Sequence, residues 1–263
     1  MKIGYLQFEP RLGDNQANYD RVAALLPGAA EADLIVLPEL ANSGYNFTSR
    51  HMAEASAESA EDGPLVSLLT KAAAEHDLHV VAGMNERDGD VLYNSAVLVG
   101  PHGLVGKYRK THLFWNEKDL FAPGDLGLPV FDIGPARIGM LICFDWIFPE
   151  TWRVLALTGA DIVCHPSNLV IPGLCQKSVP VQALCNGVFA ITANRIGTEG
   201  DLTFTGRSII ADPRGEILAQ APAAKESTAV VEIDINGARD KSITPRNDRL
   251  ADRRPELYRS LTE

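Results

Sequence analysis

Cysteine is scarce in this chain: Cys143, Cys164, Cys175 and Cys185 are the four in 263 residues. They lack C-x-x-C spacing and are too few to staple a fold, so reduced thiols are expected. Positive charge is also short, with 24 Lys and Arg against 34 Asp and Glu and a net charge of -10. That balance argues against nucleic acid or an anionic membrane surface as the main partner, because both need clustered cations. No apolar run approaches the roughly 18 to 20 residues of a spanning helix. The opening "MKIGYLQFEP" reaches a strand-like pattern within two residues, leaving no room for a charged leader and its apolar stretch. A cytoplasmic protein with no membrane partner is predicted. No G-x-G-x-x-G follows the first strand and no G-x-x-x-x-G-K-[ST] occurs anywhere, which removes dinucleotide and P-loop phosphate binding. The six histidines (51, 76, 79, 102, 112 and 165) show no H-x-x-x-H spacing, so neither a metal nor another cofactor is expected.

What is present is a chain 46% hydrophobic and 22% charged, enough for a substantial core, and residues 1–263 read as one domain. Short apolar runs bounded by turn residues alternate with longer amphipathic ones, the pattern of an α/β protein. Strands are expected at 2–8, 33–37, 78–86 and 91–99, the last two joined by the hairpin "RDGD", and a further strand ends near Lys110. Helices fall near 16–27 and 64–76, the second with Pro64 in its first turn. After an irregular stretch, 111–129, strands near 130–133 and 137–142 precede a helix from Pro149 to about Thr158. The strand "DIVCH", a helix around 179–186 and strands 188–194 and 207–212 follow. From residue 137 the order is strand, helix, strand, helix, strand, strand, as it is from residue 2, which hints at two pseudo-symmetric layers of sheet. The tail, 236–263, is charged and irregular and is expected on a surface or against a partner subunit.

A free cysteine is usually a small buried hydrophobe, and position has to mark an exception. Cys175 and Cys185 fall on or beside a predicted helix, where core packing accounts for both. Cys164 precedes His165, but successive side chains of a strand point to opposite faces and cannot easily pair as nucleophile and base. Cys143 differs. It follows the buried strand "RIGMLI" and precedes a helix that Pro149 opens, and catalytic groups of α/β proteins gather beyond the carboxyl ends of strands. Backbone N–H groups there favour a thiolate and a developing oxyanion.

Two segments offer partners. In "DLIVLPEL", Glu39 lies just beyond a strand between apolar neighbours, where partial burial would raise its pKa toward that of a working base. In "GKYRKTHLFWNEKDLFAPGD", Lys110 runs into apolar "THLFW", and Glu117 is placed to pair with it or hold it. Together "LPEL", "KYRKTHLF" and "GMLICFDWIFPE", with "PGD" after Glu117, "GADIVCHPSNLV", "ITANRIGTE" and "SIIADPRGEIL", resemble the nitrilase superfamily of carbon-nitrogen hydrolases over nearly the whole chain.

The resemblance implies a four-layer αββα sandwich, usually dimerised, with the charged tail at the subunit interface. It implies Cys143 as nucleophile, Glu39 as base, Lys110 with the Phe144 backbone N–H as oxyanion donors, and Glu117 as an orienting carboxylate. Tyr45, Trp146 and Asn168 are candidate substrate-binding residues, and ordinary packing competes for the two aromatics. The expected reaction converts a small aliphatic amide to its acid and ammonia through a cysteine thioester. A small nitrile or an N-carbamoyl compound is the alternative substrate. Rivals of other kinds are a papain-like thiol hydrolase using a histidine such as His165, and an inactive interaction protein on the same scaffold.

Overall fold

A computed structural model describes residues 1–262. Its first sheet is built from β1 (Lys2–Gln7), β2 (Leu34–Val36), β3 (His79–Asp88), β4 (Val91–Gly100) and β5 (Gly103–Arg109), with α1 (Asn15–Leu25), α2 (Arg50–Ala55) and α3 (Pro64–His76) between them. Neighbouring side chains of a strand face opposite ways. Ile35, Val80, Ala82, Val97 and Val99 therefore turn to one side and pack on Val22 of α1 and Leu65, Leu69 and Ala73 of α3. Leu34, Val36, Val81, Ala96 and Leu98 turn to the other side.

There they meet a second sheet. After α4 (Glu117–Leu120) the chain forms β6 (Val130–Asp132), β7 (Arg137–Met140), α5 (Pro149–Leu157), β8 (Ile162–Ser167), α6 (Leu174–Asn186) and β9 (Phe189–Asn194). A small hairpin, β10 (Thr198–Glu199) and β11 (Leu202–Thr203), leads to β12 (Ile209–Ala211), β13 (Ile217–Gln220), β14 (Ser227–Glu232) and the short α7 (Asn236–Arg239). One core cluster joins the inner face of the first sheet to Ile138, Met140, Ile162 and Ile191 of the second and to Trp152 and Leu155 of α5 and Val179 and Ala183 of α6. The layers are helices, sheet, sheet, helices, an αββα sandwich.

The repeat of element order is a repeat of pairing. The six-stranded sheets run β14-β1-β2-β3-β4-β5 and β13-β12-β9-β8-β7-β6. β1, β2 and β3 are parallel and β4 and β5 antiparallel additions. Likewise β7, β8 and β9 are parallel, with β12 and β13 added antiparallel. An antiparallel strand also flanks the other side of each, β14 on β1 and β6 on β7.

The structure departs from the sequence reading at identifiable places. α6 starts at Leu174 and carries Pro180 inside it, not in its first turn. A proline forfeits a helical hydrogen bond. Burial of Cys175, Val179, Pro180 and Ala183 along one face offsets that loss and carries the helix across it. β13 and β14 were not expected because they are half-covered edge strands whose burial does not alternate. The stretch 111–129 holds one helical turn, and the tail contains α7 and a hairpin, Ser242–Thr244 with Asn247–Asp248. Among the described residues no helix is long and apolar enough to cross a membrane.

Candidate active site

β2 ends at Val36 and delivers Glu39 onto a turn that lies flat on β3. Leu37 N donates to Val81 O at 2.8 Å and Ala41 N to Gly83 O at 2.9 Å. A Cβ on Gly83 would sit 2.7 Å from Leu40 N and Pro38 O, so glycine is what allows this approach. Leu40 itself is left-handed, with φ of 48°. Glu39 is fully buried rather than partly so. Its Oε1 accepts from Lys110 Nζ and from Asn94 Nδ2, both at 2.7 Å, while Oε2 is buried without a partner among the described residues.

Lys110 follows β5, its N–H donating to Asn94 O at 2.8 Å and its carbonyl accepting from Gly124 N of the "PGD" turn at 2.9 Å. Its ammonium bridges two carboxylates, Glu39 and Glu117, each at 2.7 Å. Burial alone would lower its pKa, but Glu117 and Glu39 beside it hold it well above the usual lysine range. The expected apolar surroundings of Lys110 are thus corrected: its stem is buried, and its head sits between two anions. Glu117 opens α4, accepts from Tyr45 OH at 2.8 Å and from Phe114 N at 3.1 Å, and is pushed up by burial despite Lys110.

Cys143 begins a tight 3-10 turn, Cys143–Ile147, after β7, in a left-handed conformation with φ of 42°. Such strain in a non-glycine residue persists only where its surroundings hold it. Two buried side chains do so. Asp145 accepts from Ile142 N at 2.9 Å and Tyr108 OH at 2.8 Å, and its other oxygen takes His112 N at 3.2 Å and His112 Nδ1 at 2.8 Å. It ties the cysteine turn to β5 and to the segment after Lys110. His165 Nε2 lies 2.8 Å from the Cys143 carbonyl and Nδ1 3.0 Å from Thr192 Oγ1. Burial pushes His165 down to about 4, so it is a neutral donor to a carbonyl. A base paired with the thiol it is not, which corrects the papain-like alternative.

The Cys143 thiol is driven well above its usual range by burial and by Glu39, with Lys110 and the Asn168 backbone N–H pulling the other way. Burial also raises Cys164 and Cys175, but neither has a lysine among the groups acting on it. Cys185, assigned to core packing from the sequence, is exposed, because it lies on the outward face of α6.

Phe144 is the second residue of the cysteine turn, where backbone N–H groups precede any acceptor within the turn. Trp146 is half-buried and lines, with Cys143, Phe114, Asn168 and Leu174, a small apolar pocket of about 80 Å3. A cleft of about 360 Å3, sharing Phe114 and Val170 with that pocket, is lined by Tyr45, Phe47, Trp115, Glu117 and Asp201. A larger hollow of about 850 Å3, bordered by Glu9, Arg11, Asp20, Arg21 and Glu226, is lined by none of Glu39, Lys110, Glu117 and Cys143. Asn168 Nδ2 donates to the Glu39 carbonyl at 3.0 Å, tying the ends of β8 and β2 together, and its Oδ1 is buried without a partner among the described residues. Among the described residues no group of three or more His, Cys, Asp or Glu is arranged to hold a metal ion.

Asn94, Asp145 and the carbonyl contact of His165 were missed from sequence. Asn94 did leave a sign: an amide within the apolar run "VLYNSAVLVG" must find a buried partner.

The carbon-nitrogen hydrolase family model matches residues 2–241. A protein named nitrilase from Pyrococcus abyssi is 46% identical over 260 residues, covering 98% of this chain and 99% of its own. An (R)-stereoselective amidase from Pseudomonas sp. is 37% identical over 267 residues, covering 100% of this chain and 95% of its own. The structure of a mutant amidase from Nesterenkonia sp. AN1, with acrylamide joined to its active-site cysteine by Michael addition, superposes with a TM-score of 0.82. It is 28% identical and the match covers 99% of both chains. On the family match, the length of the likeness and the shared fold, the chain belongs to the carbon-nitrogen hydrolases of the nitrilase superfamily.

Proposed function

We propose that this hydrolase converts a small aliphatic amide to its carboxylic acid and ammonia, with Cys143, Glu39 and Lys110 as the catalytic residues. One observation carries the proposal. A buried ammonium bridges Glu39 and Glu117 beside a buried thiol, and Glu39 keeps one oxygen, Oε2, free to take a proton.

The thiol proton passes to Glu39 as sulfur attacks the amide carbon, and the carbonyl oxygen becomes an oxyanion held by Lys110 Nζ and the Phe144 N–H. Glu39 returns that proton to the departing nitrogen, which leaves as ammonia, and a thioester remains on Cys143. Water then gives a proton to Glu39 and adds to the thioester carbon. Collapse of the second tetrahedral intermediate releases the acid, and sulfur regains its proton. Glu117 orients Lys110. Trp146 and Asn168 line the pocket that receives the acyl group.

Asn168 Oδ1, a buried acceptor without a partner, favours an amide, which can donate an N–H, over a nitrile, which cannot. The likeness to a protein named nitrilase makes a nitrile the second substrate class, with a thioimidate in place of the first tetrahedral adduct. Ammonia release from matched aliphatic amides, nitriles and N-carbamoyl compounds tests the assignment. Turnover of amides is expected, together with an acyl adduct on the Cys143 peptide by mass spectrometry. Turnover of nitriles alone overturns the amide assignment, and no ammonia from any of them favours the inactive scaffold.

The proposed assembly is a homodimer. Val154 and Leu157 of α5 and Val181 and Leu184 of α6 are exposed apolar residues on two helices packed together, a face of the kind that subunits cover. Light scattering is expected to give twice the chain mass, and Leu157→Asp with Leu184→Asp to give monomers. A monomeric native protein ends this part of the proposal.

A further inference from the structure

We propose that Tyr45 is a positioning residue that sets Lys110 through Glu117, and that the Arg195–Glu199 pair, in the second half of the chain, holds Tyr45 in place. Each carboxylate oxygen that grips the ammonium also receives a second, uncharged donor. On Glu39 Oε1 that donor is Asn94; on Glu117 Oε1 it is the Tyr45 hydroxyl at 2.8 Å. With two donors the oxygen has a fixed location, and so has the lysine it holds. A tyrosine that merely lined the cleft would use its ring alone, and phenylalanine would serve equally well.

What holds Tyr45 comes from far along the chain. Glu199 Oε2 accepts from Tyr45 N at 3.0 Å and from Asn46 N at 2.7 Å. The other Glu199 oxygen is paired with Arg195, which is fully buried and also donates to Pro10 O at 2.9 Å. The Arg195 guanidinium lies 4.0 Å from the centroid of Phe204, and Phe204 meets the Tyr45 ring edge-on at 5.9 Å. Backbone and ring of Tyr45 are thus both anchored by the segment from Arg195 to Phe204, and its hydroxyl points at Glu117. Lys110, Glu39 and Cys143 are the other ionisable groups around that contact.

The inference rests on the proposed role of Lys110 in stabilising the oxyanion. Tyr45→Phe keeps the ring and removes the donor. Its kcat is expected to fall about 10- to 100-fold, the range for a hydrogen bond to a charged group, with KM little changed and the melting temperature near wild type. Because the hydroxyl favours the Glu117 carboxylate, its loss moves the acid limb of the pH-rate profile upward. Glu199→Ala is expected to lower kcat in a wild-type background and to add little once Tyr45→Phe is present. An unchanged kcat and acid limb in Tyr45→Phe overturns the inference, as does a rise in KM alone, which would make Tyr45 a substrate contact. Cys143→Ala, assayed alongside, separates the two failures: if it still turns over, the catalytic assignment falls whatever Tyr45 does.

Discussion

Cys143→Ala is expected to abolish ammonia release while the protein stays folded. Loss of a nucleophile that acts as one unit with its base costs on the order of 10⁶-fold in the best-studied hydrolase, and a loss of at least about 10⁴-fold is expected here. The fold is expected to survive because Asp145 and His165 hold the turn through main-chain atoms of Ile142 and Cys143, not through the thiol. Alanine meets the same left-handed strain at φ of 42° that cysteine meets, so the substitution adds none. Urea unfolding should therefore match wild type within about 1 kcal/mol, the scale of a small buried truncation. Cys143→Ser is expected to be nearly as inactive. Its hydroxyl is a far weaker acid than a thiol, and the burial that already drives the thiol upward would act on it too. Turnover by Cys143→Ala would remove the cysteine from the mechanism and leave Glu39 and Lys110 as a buried structural pair.

The proposed nucleophile and base stand out in the sequence because each follows an apolar strand, and the proposed oxyanion lysine because a strand ends there before the apolar "THLF". "LIVLPEL", "YRKTHLF" and "GMLICFD" each run from buried residues straight into one of these three groups. The parallel pairing of β1 with β2 and of β7 with β8 fixes which strand ends are shared, and the alternation at Leu34, Ile35 and Val36 fixes which face is core. The supporting groups were not legible, for a physical reason. Asn94 is 55 residues from the carboxylate it meets and Tyr45 is 72 from Glu117. Nothing local to "LYNSA" or "SGYNF" says which buried acceptor each donor will find. The "CFDW" segment showed Asp145 without its role, since that role depends on Tyr108 and His112 arriving from β5 and the loop after it. Edge strands such as β14, half covered and without alternation, leave no periodic trace at all.

Lys110→Met separates catalysis from stability at one position. Losing an oxyanion donor is expected to cost about 10² to 10³ in kcat, and up to about 10⁴ if Glu39 is displaced as well. Its structural effect is just as large. The ammonium is the cation that both Glu39 and Glu117 bond, and all three side chains are almost completely buried. Removing one member of a buried ionic group costs about 3 to 5 kcal/mol, because the remaining charge has no compensation. In the variant the two carboxylates face each other without a cation, and losing Lys110, the main group opposing burial at Glu117, moves the Glu117 pKa further above the unfolded value. The folded variant then binds more protons than the unfolded chain, so its stability is greatest at acidic pH and falls as pH rises past the ordinary carboxylate range. Urea midpoints across that range should show this slope more steeply in Lys110→Met than in wild type, where burial already raises Glu117 against the pull of Lys110. Adding Glu117→Gln removes one of the opposed charges and should restore much of the lost stability with no recovery of turnover. If the double variant regains activity as well, Lys110 matters only for keeping the carboxylates apart, and the oxyanion must be held by backbone N–H groups alone.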